Sequence, residues 1–375
     1  TQPYISLNVG TGSPQEAKDW IEYMTSNSDS ALANERRKNG REEPWKIPFV
    51  GVGNESWGCG GNMRPEYYAD QFRRFNTFIE NQSGNRISRI ACGSNGADFN
   101  WTDVVMNIAG NSGMNGISLH WYSLPTGNWS RKGSAIDFGE DQWASLLSQA
   151  DRMQELIARH SAIMDKYDPQ KRVGLVVDEW GAWYDVQPGT NPGFLYQQNT
   201  MRDAVLAGLT LNIFQQHADR VKMADIAQMV NVLQAMILTK DAKMVRTPTY
   251  WVFDMYKPHR DATLVPVDVQ APDYRQSRYN LPGLSVSASK DAAGKGHVSI
   301  VNLNPRQGSD IGVKVAGMGV KGVTGQILTA TTMNARNTFD NPDAVKPAAF
   351  SGASLEGGNV RVMMPPMSVV MLELD

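Results

Sequence analysis

The sequence predicts an α/β domain followed by an antiparallel all-β domain. Up to about residue 260, apolar runs alternate with amphipathic stretches, the pattern of strand–helix units in a parallel sheet. Polar and aromatic residues gather at the carboxyl ends of those runs, where such sheets place their chemistry. From about Ala262 the texture changes to short strands separated by Gly, Pro, Asn and Asp. Several different strand ends contribute polar groups, and no Gly-rich nucleotide fingerprint occurs. The first domain, residues 1–260, therefore reads as a (β/α)8 TIM barrel and the second, residues 261–375, as an antiparallel β-sandwich.

The first strand is expected in Pro3 to Gly10, where β-formers alternate. Ser13-Pro14-Gln15-Glu16 then opens a helix: Ser13 caps it, Pro14 suits its first turn and Glu16 completes a capping box. Ala17, Trp20, Ile21 and Met24 recur at helical spacing as its buried face. Ser26 to Lys46 is polar and reads as a loop. A second strand, Pro48 to Val52, runs into Gly53-Asn54-Glu55-Ser56-Trp57, and Pro65 starts a helix buried through Tyr68, Phe72, Phe75 and Ile79. Arg86 to Cys92 is a strand and Trp101 to Ala109 a short helix. Gly116 to Tyr122 is a strand ending in His120, Trp121 and Tyr122. An insertion, Ser123 to Glu140, carries Trp129 and precedes one long helix from Asp141 to Tyr167. Leu175 to Val177 lead a strand into Asp178-Glu179-Trp180. Thr200 to His217 reads as helix running into strand, and Asp225 to Leu233 and Ala235 to Leu238 are apolar, with Gln228 inside the first. That makes about six strand units where a closed barrel takes ~8, so two are expected to be missing at the front. Short sandwich strands follow from Leu264 to Leu374.

Composition narrows the function. Hydrophobic residues are 41% and charged residues 20% of 375, which describes an ordinary globular chain rather than a disordered one. A formal net charge of -2 without a long basic run argues against nucleic-acid or anionic-membrane partners. No apolar run reaches the ~20 residues that span a bilayer. Two cysteines, Cys59 and Cys92, make neither a disulfide framework nor a zinc cluster; Cys59 either lines a site near Glu55 or is a buried free thiol, the commoner case. The chain opens on Thr1 with no leader pattern ahead of the first strand.

Glu55 and Glu179 share one context: an apolar strand ends in a carboxylate with a Trp beside it. Two such carboxylates on parallel strands are what glycoside hydrolysis needs, one to protonate the leaving oxygen and one to attack or to activate water. Each could instead cap a helix or hold a salt bridge. In a catalytic pair, the acid's pKa is expected to rise towards neutrality while the nucleophile stays ionised. Asn54 is a sugar contact or a turn residue, and His120 a site residue or a satisfied core histidine. Trp57, Trp121, Trp129 and Trp183 are candidate sugar platforms, while Trp20, Trp45 and Trp251 are expected in the core. Alternation points Asp178 away from Glu179, so it reads as structural. His120, Asp178 and His217 lack metal-ligand spacing, and neither metal nor cofactor is expected.

Gly53-Asn54-Glu55, Asp178-Glu179-Trp180-Gly181 and His217-Ala218-Asp219-Arg220-Val221-Lys222 resemble the α-L-arabinofuranosidases of glycoside hydrolase family 51, in the same order and over essentially the whole chain. Asn8 to Gly12 and Ala227 to Val232 are similar to that family too. The resemblance implies roles: Glu55 the acid/base, Glu179 the nucleophile, Asn54 the partner of the sugar 2-hydroxyl. His120 and Tyr122 would lie near the nucleophile and sugar, Gln228 would give a polar contact from the last barrel strand, and Trp183 an aromatic one. It further implies a retaining, exo-acting enzyme on arabinan, arabinoxylan or arabino-oligosaccharides, and an oligomer. It departs at the front, where a Glu, an Arg and an Asn that hold the furanose would be needed, so a companion segment or a truncated product is expected. Two rivals stand beside this reading: an endo-β-1,4-glucanase of the same family and a non-catalytic fragment.

Overall fold

In the computed structural model, which describes residues 2–375, strand and helix alternate through the first part of the chain. The order is β1 (Tyr4–Leu7), α1 (Pro14–Thr25), α2 (Ala31–Lys38), β2 (Phe49–Val52), α3 (Pro65–Asn76), β3 (Ser88–Asn95), α4 (Phe99–Ala109) and β4 (Gly116–Ser123). Then come α5 (Glu140–Asp151), α6 (Met153–Tyr167), β5 (Gly174–Ala182), α7 (Met201–Gln216) and β6 (Val221–Ile226). The strands lie in one sheet in the order β1-β2-β3-β4-β5-β6, with the first four paired in parallel. Strands laid down in chain order with helices between them are the barrel-type arrangement that the sequence predicts.

The chain divides into two compact units. One comprises Thr1–His120, Leu156–Asp178 and Asp219–Ala224; the other comprises Trp121–Glu155, Glu179–Ala218 and Asp225–Asp375. Within the first, α1 starts as expected: the Glu16 amide donates to Ser13 Oγ (3.2 Å) and the Ser13 amide to Glu16 Oε2 (2.7 Å). Ala17, Ile21 and Met24 are buried, but Trp20 is 44% exposed, because it sits at the edge of a stripe that the other three fill. Trp45 is exposed as well, its ring stacked on Tyr23 and covered by Arg41. The expected loop at 26–46 contains α2. This helix has no apolar stripe to betray it, because its buried residues are a small alanine, Ala33, and an arginine. Arg36, fully buried, donates to the carbonyls of Tyr23 (2.9 Å), Ser26 (2.6 Å) and Glu42 (3.0 Å). Helix α3 buries Tyr68, Phe72 and Phe75 as predicted, with Ile79 buried just beyond it. Another buried arginine, Arg220 in the family-like stretch before β6, donates to Asp168 Oδ2 (3.0 Å) and the Val173 carbonyl (2.9 Å) and also bonds Asp165. It ties the end of α6 to the starts of β5 and β6.

The predicted long helix from Asp141 breaks at Arg152, whose amide donates to the Ala150 carbonyl. No Pro or Gly marks the break, so the pattern could not show it. Met201–Gln216 is helix throughout, capped by Thr200 and by His217, whose amide bonds back to the Ile213 carbonyl, and the strand begins only at Val221.

In the second unit a hairpin, β7 (Ile237–Lys240) and β8 (Lys243–Arg246), leads to α8 (Pro248–Met255). The remaining strands are β9 (Thr263–Val265), β10 (Asp273–Gln276), β11 (Tyr279–Pro282), β12 (Leu284–Lys290), β13 (Gly296–Asn302) and β14 (Ser309–Val313). They continue with β15 (Val323–Leu328), β16 (Ala348–Ala349), β17 (Ala353–Glu356), β18 (Asn359–Met364) and β19 (Ser368–Leu374). A six-stranded sheet, β16-β15-β19-β13-β12-β9, and a three-stranded sheet, β14-β18-β17, are antiparallel and share a core of Leu284, Val286, Ile300, Val362 and Leu372 with their neighbours. This is the predicted sandwich. Asn212 and Gln216 of α7 bond Ser285 Oγ and the Val286 carbonyl of β12, and Trp143 of α5 donates to the Leu303 carbonyl.

Candidate active site

The first carboxylate stands where β2 ends. Val50, Gly51 and Val52 are buried, and the chain then turns so tightly that Glu55 takes φ 44°, a left-handed conformation that L residues rarely hold. The amides of Gly58 (2.8 Å) and Gly60 (3.0 Å) close the turn on the Glu55 carbonyl. Gly60 has to be glycine, because a Cβ there would lie 1.8 Å from the Asn54 carbonyl oxygen. Asn54 is exposed and Glu55 half-buried.

Both Glu55 oxygens are engaged. His120 Nδ1, on β4, lies 3.0 Å from Oε1, and the Cys59 thiol donates to Oε2 across 3.2 Å. His120 is 2% exposed, and its Nε2 is 3.1 Å from Asp178 Oδ1 on β5. Asp178 Oδ2 in turn accepts from the Tyr4 hydroxyl of β1 at 3.0 Å. Four strands thus contribute to one row, Glu55–His120–Asp178–Tyr4. A neutral imidazole has a single N–H, so it can donate to only one of the two carboxyls that flank it; engaging both takes a second proton in the row. His120 is the main reason that the Glu55 carboxyl lies below its ordinary range; burial opposes this and the Cys59 thiol adds to it. The sequence reading expected the opposite direction. It weighed burial and like charge, and could not see a histidine from another strand reaching the same oxygen.

Two further readings change here. Asp178, read as merely structural, lies against His120. Cys59, expected to be buried, is exposed beside Glu55, and Cys92 is the buried thiol, pushed up to about 12 by burial. Trp57 donates to the Gly93 carbonyl (3.1 Å) and stands edge-on to His120, with 6.4 Å between ring centres. Gly93 lies at a register shift between β3 and β4, and a Cβ there would lie 1.5 Å from the Ser118 carbonyl oxygen.

The second carboxylate, Glu179, is on β5 and half-buried. Its Oε2 accepts from the Tyr122 hydroxyl at 2.6 Å, a charge-assisted bond to a buried phenol. The Tyr122 ring meets Trp183 edge to face at 4.9 Å, and both pack with Leu124, Ala227 and Leu233. Trp183 meets Trp129 at 5.3 Å, and Lys132 Nζ lies 5.7 Å from the Trp183 ring centre. Gln228 is exposed on the loop after β6 rather than within a strand; its carbonyl accepts from the Met236 amide. Two buried glutamines that the sequence did not single out pin the turn after Glu179. Gln234 Oε1 accepts from the Ala182 amide (2.6 Å), and Gln197 spans the Tyr184 amide (2.9 Å) and the Ala182 carbonyl (3.0 Å). A polar residue in an irregular stretch carries no periodicity signal, so nothing in the sequence marked them.

The chain therefore presents one carboxylate beside an imidazole and another bonded to a phenol. Comparisons with known proteins place the chain in a family. The α-L-arabinofuranosidase 1 domain matches residues 8–135 and the α-L-arabinofuranosidase C-terminal domain residues 178–368. An intracellular exo-α-L-arabinofuranosidase of Bacteroides ovatus is 48% identical, covering 100% of this chain and 73% of its own. The crystal structure of a glycoside hydrolase family 51 arabinofuranosidase from Xanthomonas axonopodis pv. citri superposes with TM-score 0.98 at 51% identity, over 100% of this chain and 76% of that one. An α-L-arabinofuranosidase from Thermotoga maritima, in complex with arabinose, superposes with TM-score 0.84 at 26% identity, over 99% and 75%.

Proposed function

The chain belongs to the α-L-arabinofuranosidases of glycoside hydrolase family 51, and from that premise we propose that it releases terminal non-reducing α-L-arabinofuranosyl residues from arabinan, arabinoxylan or arabino-oligosaccharides with retention of configuration. The 48% identity to an enzyme named as exo-acting on arabinofuranosides carries this reading. It favours that activity over the endo-β-1,4-glucanase and non-catalytic alternatives.

In the proposed double displacement, a Glu179 carboxylate oxygen attacks the anomeric carbon. The glycosidic C–O bond breaks, and Glu55 passes its proton to the departing oxygen, leaving a glycosyl ester on Glu179. Glu55 then takes a proton from water, the water oxygen attacks the same carbon, and the ester bond breaks to free arabinose and restore Glu179. The Tyr122 hydroxyl supports Glu179 whenever it carries charge. His120 Nδ1 lies 3.0 Å from Glu55 Oε1 and is the main reason that the Glu55 carboxyl is held low. Asp178 and Tyr4 set the orientation of His120. We assign Asn54, Gln228 and Trp183 to sugar contacts on their place in the family's motifs. The row through His120, in which every member has a stated partner, supports the role given to Glu55.

The test is hydrolysis of an aryl α-L-arabinofuranoside by wild type, Glu179→Ala and Glu55→Ala. The Glu179 variant should fold and be inactive. The Glu55 variant should accumulate glycosyl-enzyme on substrates with a good leaving group and be rescued by azide. Substantial turnover by Glu179→Ala removes it as the nucleophile; failure of azide rescue counts against Glu55.

A further inference from the structure

Trp129 is 54% exposed, and its place on the insertion between β4 and α5 is not that of a loosely held loop residue. The Trp183 amide donates to the Ser123 carbonyl (3.1 Å). Asp185 receives the Lys132 amide on Oδ1 (3.0 Å) and the Gly133 amide on Oδ2 (3.0 Å), and returns its own amide to the Gly133 carbonyl (2.9 Å). Asn128 Oδ1 accepts from the Ser130 amide (2.8 Å), so the backbone on both sides of Trp129 is held. The segment after Glu179 and the segment carrying Trp129 are thus stitched into one piece. Side chains continue the connection. Glu179 accepts from Tyr122, Tyr122 packs on Trp183, and Trp183 meets Trp129 at an interplanar angle of 86°. Trp183 is half-buried, with Tyr122, Trp129 and Lys132 around it. Trp129 is therefore the ring in this series that keeps most of its surface for another molecule. A preordered exposed indole, two ring contacts from the tyrosine that supports the proposed nucleophile, suits the C–H face of a sugar better than water.

We propose that Trp129 is the platform for the leaving-group sugar, the ring to which the terminal arabinofuranose is attached, and so determines preference for oligosaccharides over simple glycosides. This rests on the function proposed above, because the direction from Glu179 outward has meaning only if Glu179 reacts with the anomeric carbon. The ring sees the glycan before the glycosidic bond breaks and helps to hold it through that step. Its contribution belongs in kcat/KM for substrates whose leaving group is a sugar. A methyl leaving group offers no ring to lie on the indole.

The experiment compares kcat/KM for arabinotriose and for methyl α-L-arabinofuranoside in wild type, Trp129→Ala and Trp129→Phe. The ratio of arabinotriose to methyl glycoside should fall roughly three- to tenfold in Trp129→Ala, the size of an aromatic stacking contact, mostly through KM. Trp129→Phe, which keeps an aromatic face, should recover much of the ratio. A purely structural role for Trp129 would lower both substrates together. An unchanged ratio, or equal losses on both substrates, overturns the platform. If wild type hydrolyses neither substrate, the glycosidase reading itself fails and this assignment falls with it; activity on both with an unchanged ratio leaves that reading standing and refutes the platform alone.

Discussion

Tyr122→Phe isolates one oxygen atom. The ring of Tyr122 is 9% exposed, and the substitution keeps its packing against Trp183 and the Leu124, Ala227 and Leu233 cluster. Only the hydroxyl that donates to Glu179 at 2.6 Å is lost. A hydrogen bond to a charged group contributes about 1.5–3 kcal/mol. In the proposed glycosyl-enzyme Glu179 is an ester and carries no charge, so most of that bond's value is absent there. The bond returns as the carboxylate departs. If about half of the charge is back in the transition state for deglycosylation, the variant loses about 0.7–1.5 kcal/mol there, roughly three- to twelvefold in rate. With a dinitrophenyl arabinofuranoside, whose first step is fast, kcat should fall by that factor, KM should fall with it, and intact mass should show more glycosyl-enzyme at steady state. The melting temperature should change little, since the ring remains. A kcat within twofold of wild type, or a loss in kcat/KM alone with no accumulated intermediate, would refute the reasoning about when Glu179 needs the phenol.

Two further outcomes follow from the other unit. His120 is the largest cause of the low Glu55 pKa, so His120→Asn should raise it. A general acid with a higher pKa stays protonated to higher pH, and the basic limb of the kcat/KM profile should move upward; a static limb, or one that moves down, contradicts the assigned row. Breaking the buried Arg220–Asp168 pair with Arg220→Met leaves the buried Asp168 carboxylate with the exposed Arg172 as its cationic partner, and should cost about 3 kcal/mol, read as a drop of several degrees in melting temperature. Burial alone would raise Asp168, but the Val173 amide and the Arg220 guanidinium outweigh it and hold the carboxyl below its ordinary range. A carboxyl held low contributes stability that is complete above the ordinary aspartate range and is lost as pH falls through the folded value. The gap between wild type and Arg220→Met should therefore close under acid; a gap that stays constant as pH falls would place the cost elsewhere.

What could be read from the sequence alone were features whose cause is local. Ser13 and Glu16 cap α1 because the two residues reach each other within one turn. The apolar runs before Glu55 and Glu179 are strands because a strand buried on both faces must be apolar, and the residues that end them stand at the sheet's carboxyl edge. The sandwich strands show their period of two directly. The tertiary structure alone decided what lies beside those ends. His120 meets Glu55 across 65 residues of chain, and Tyr4 meets Asp178 across 174. Periodicity reports which face a residue is on and says nothing about which other strand lies next to it. Alternation read Asp178 as turned away from Glu179 and merely structural, and it could not show that Asp178 would come to lie 3.1 Å from His120, a residue of another strand. Arg36 in α2 and the glutamines behind Ala182 escaped notice for the same reason: their burial is satisfied by backbone groups distant in sequence, and a polar residue shows no such partner until the chain has folded around it.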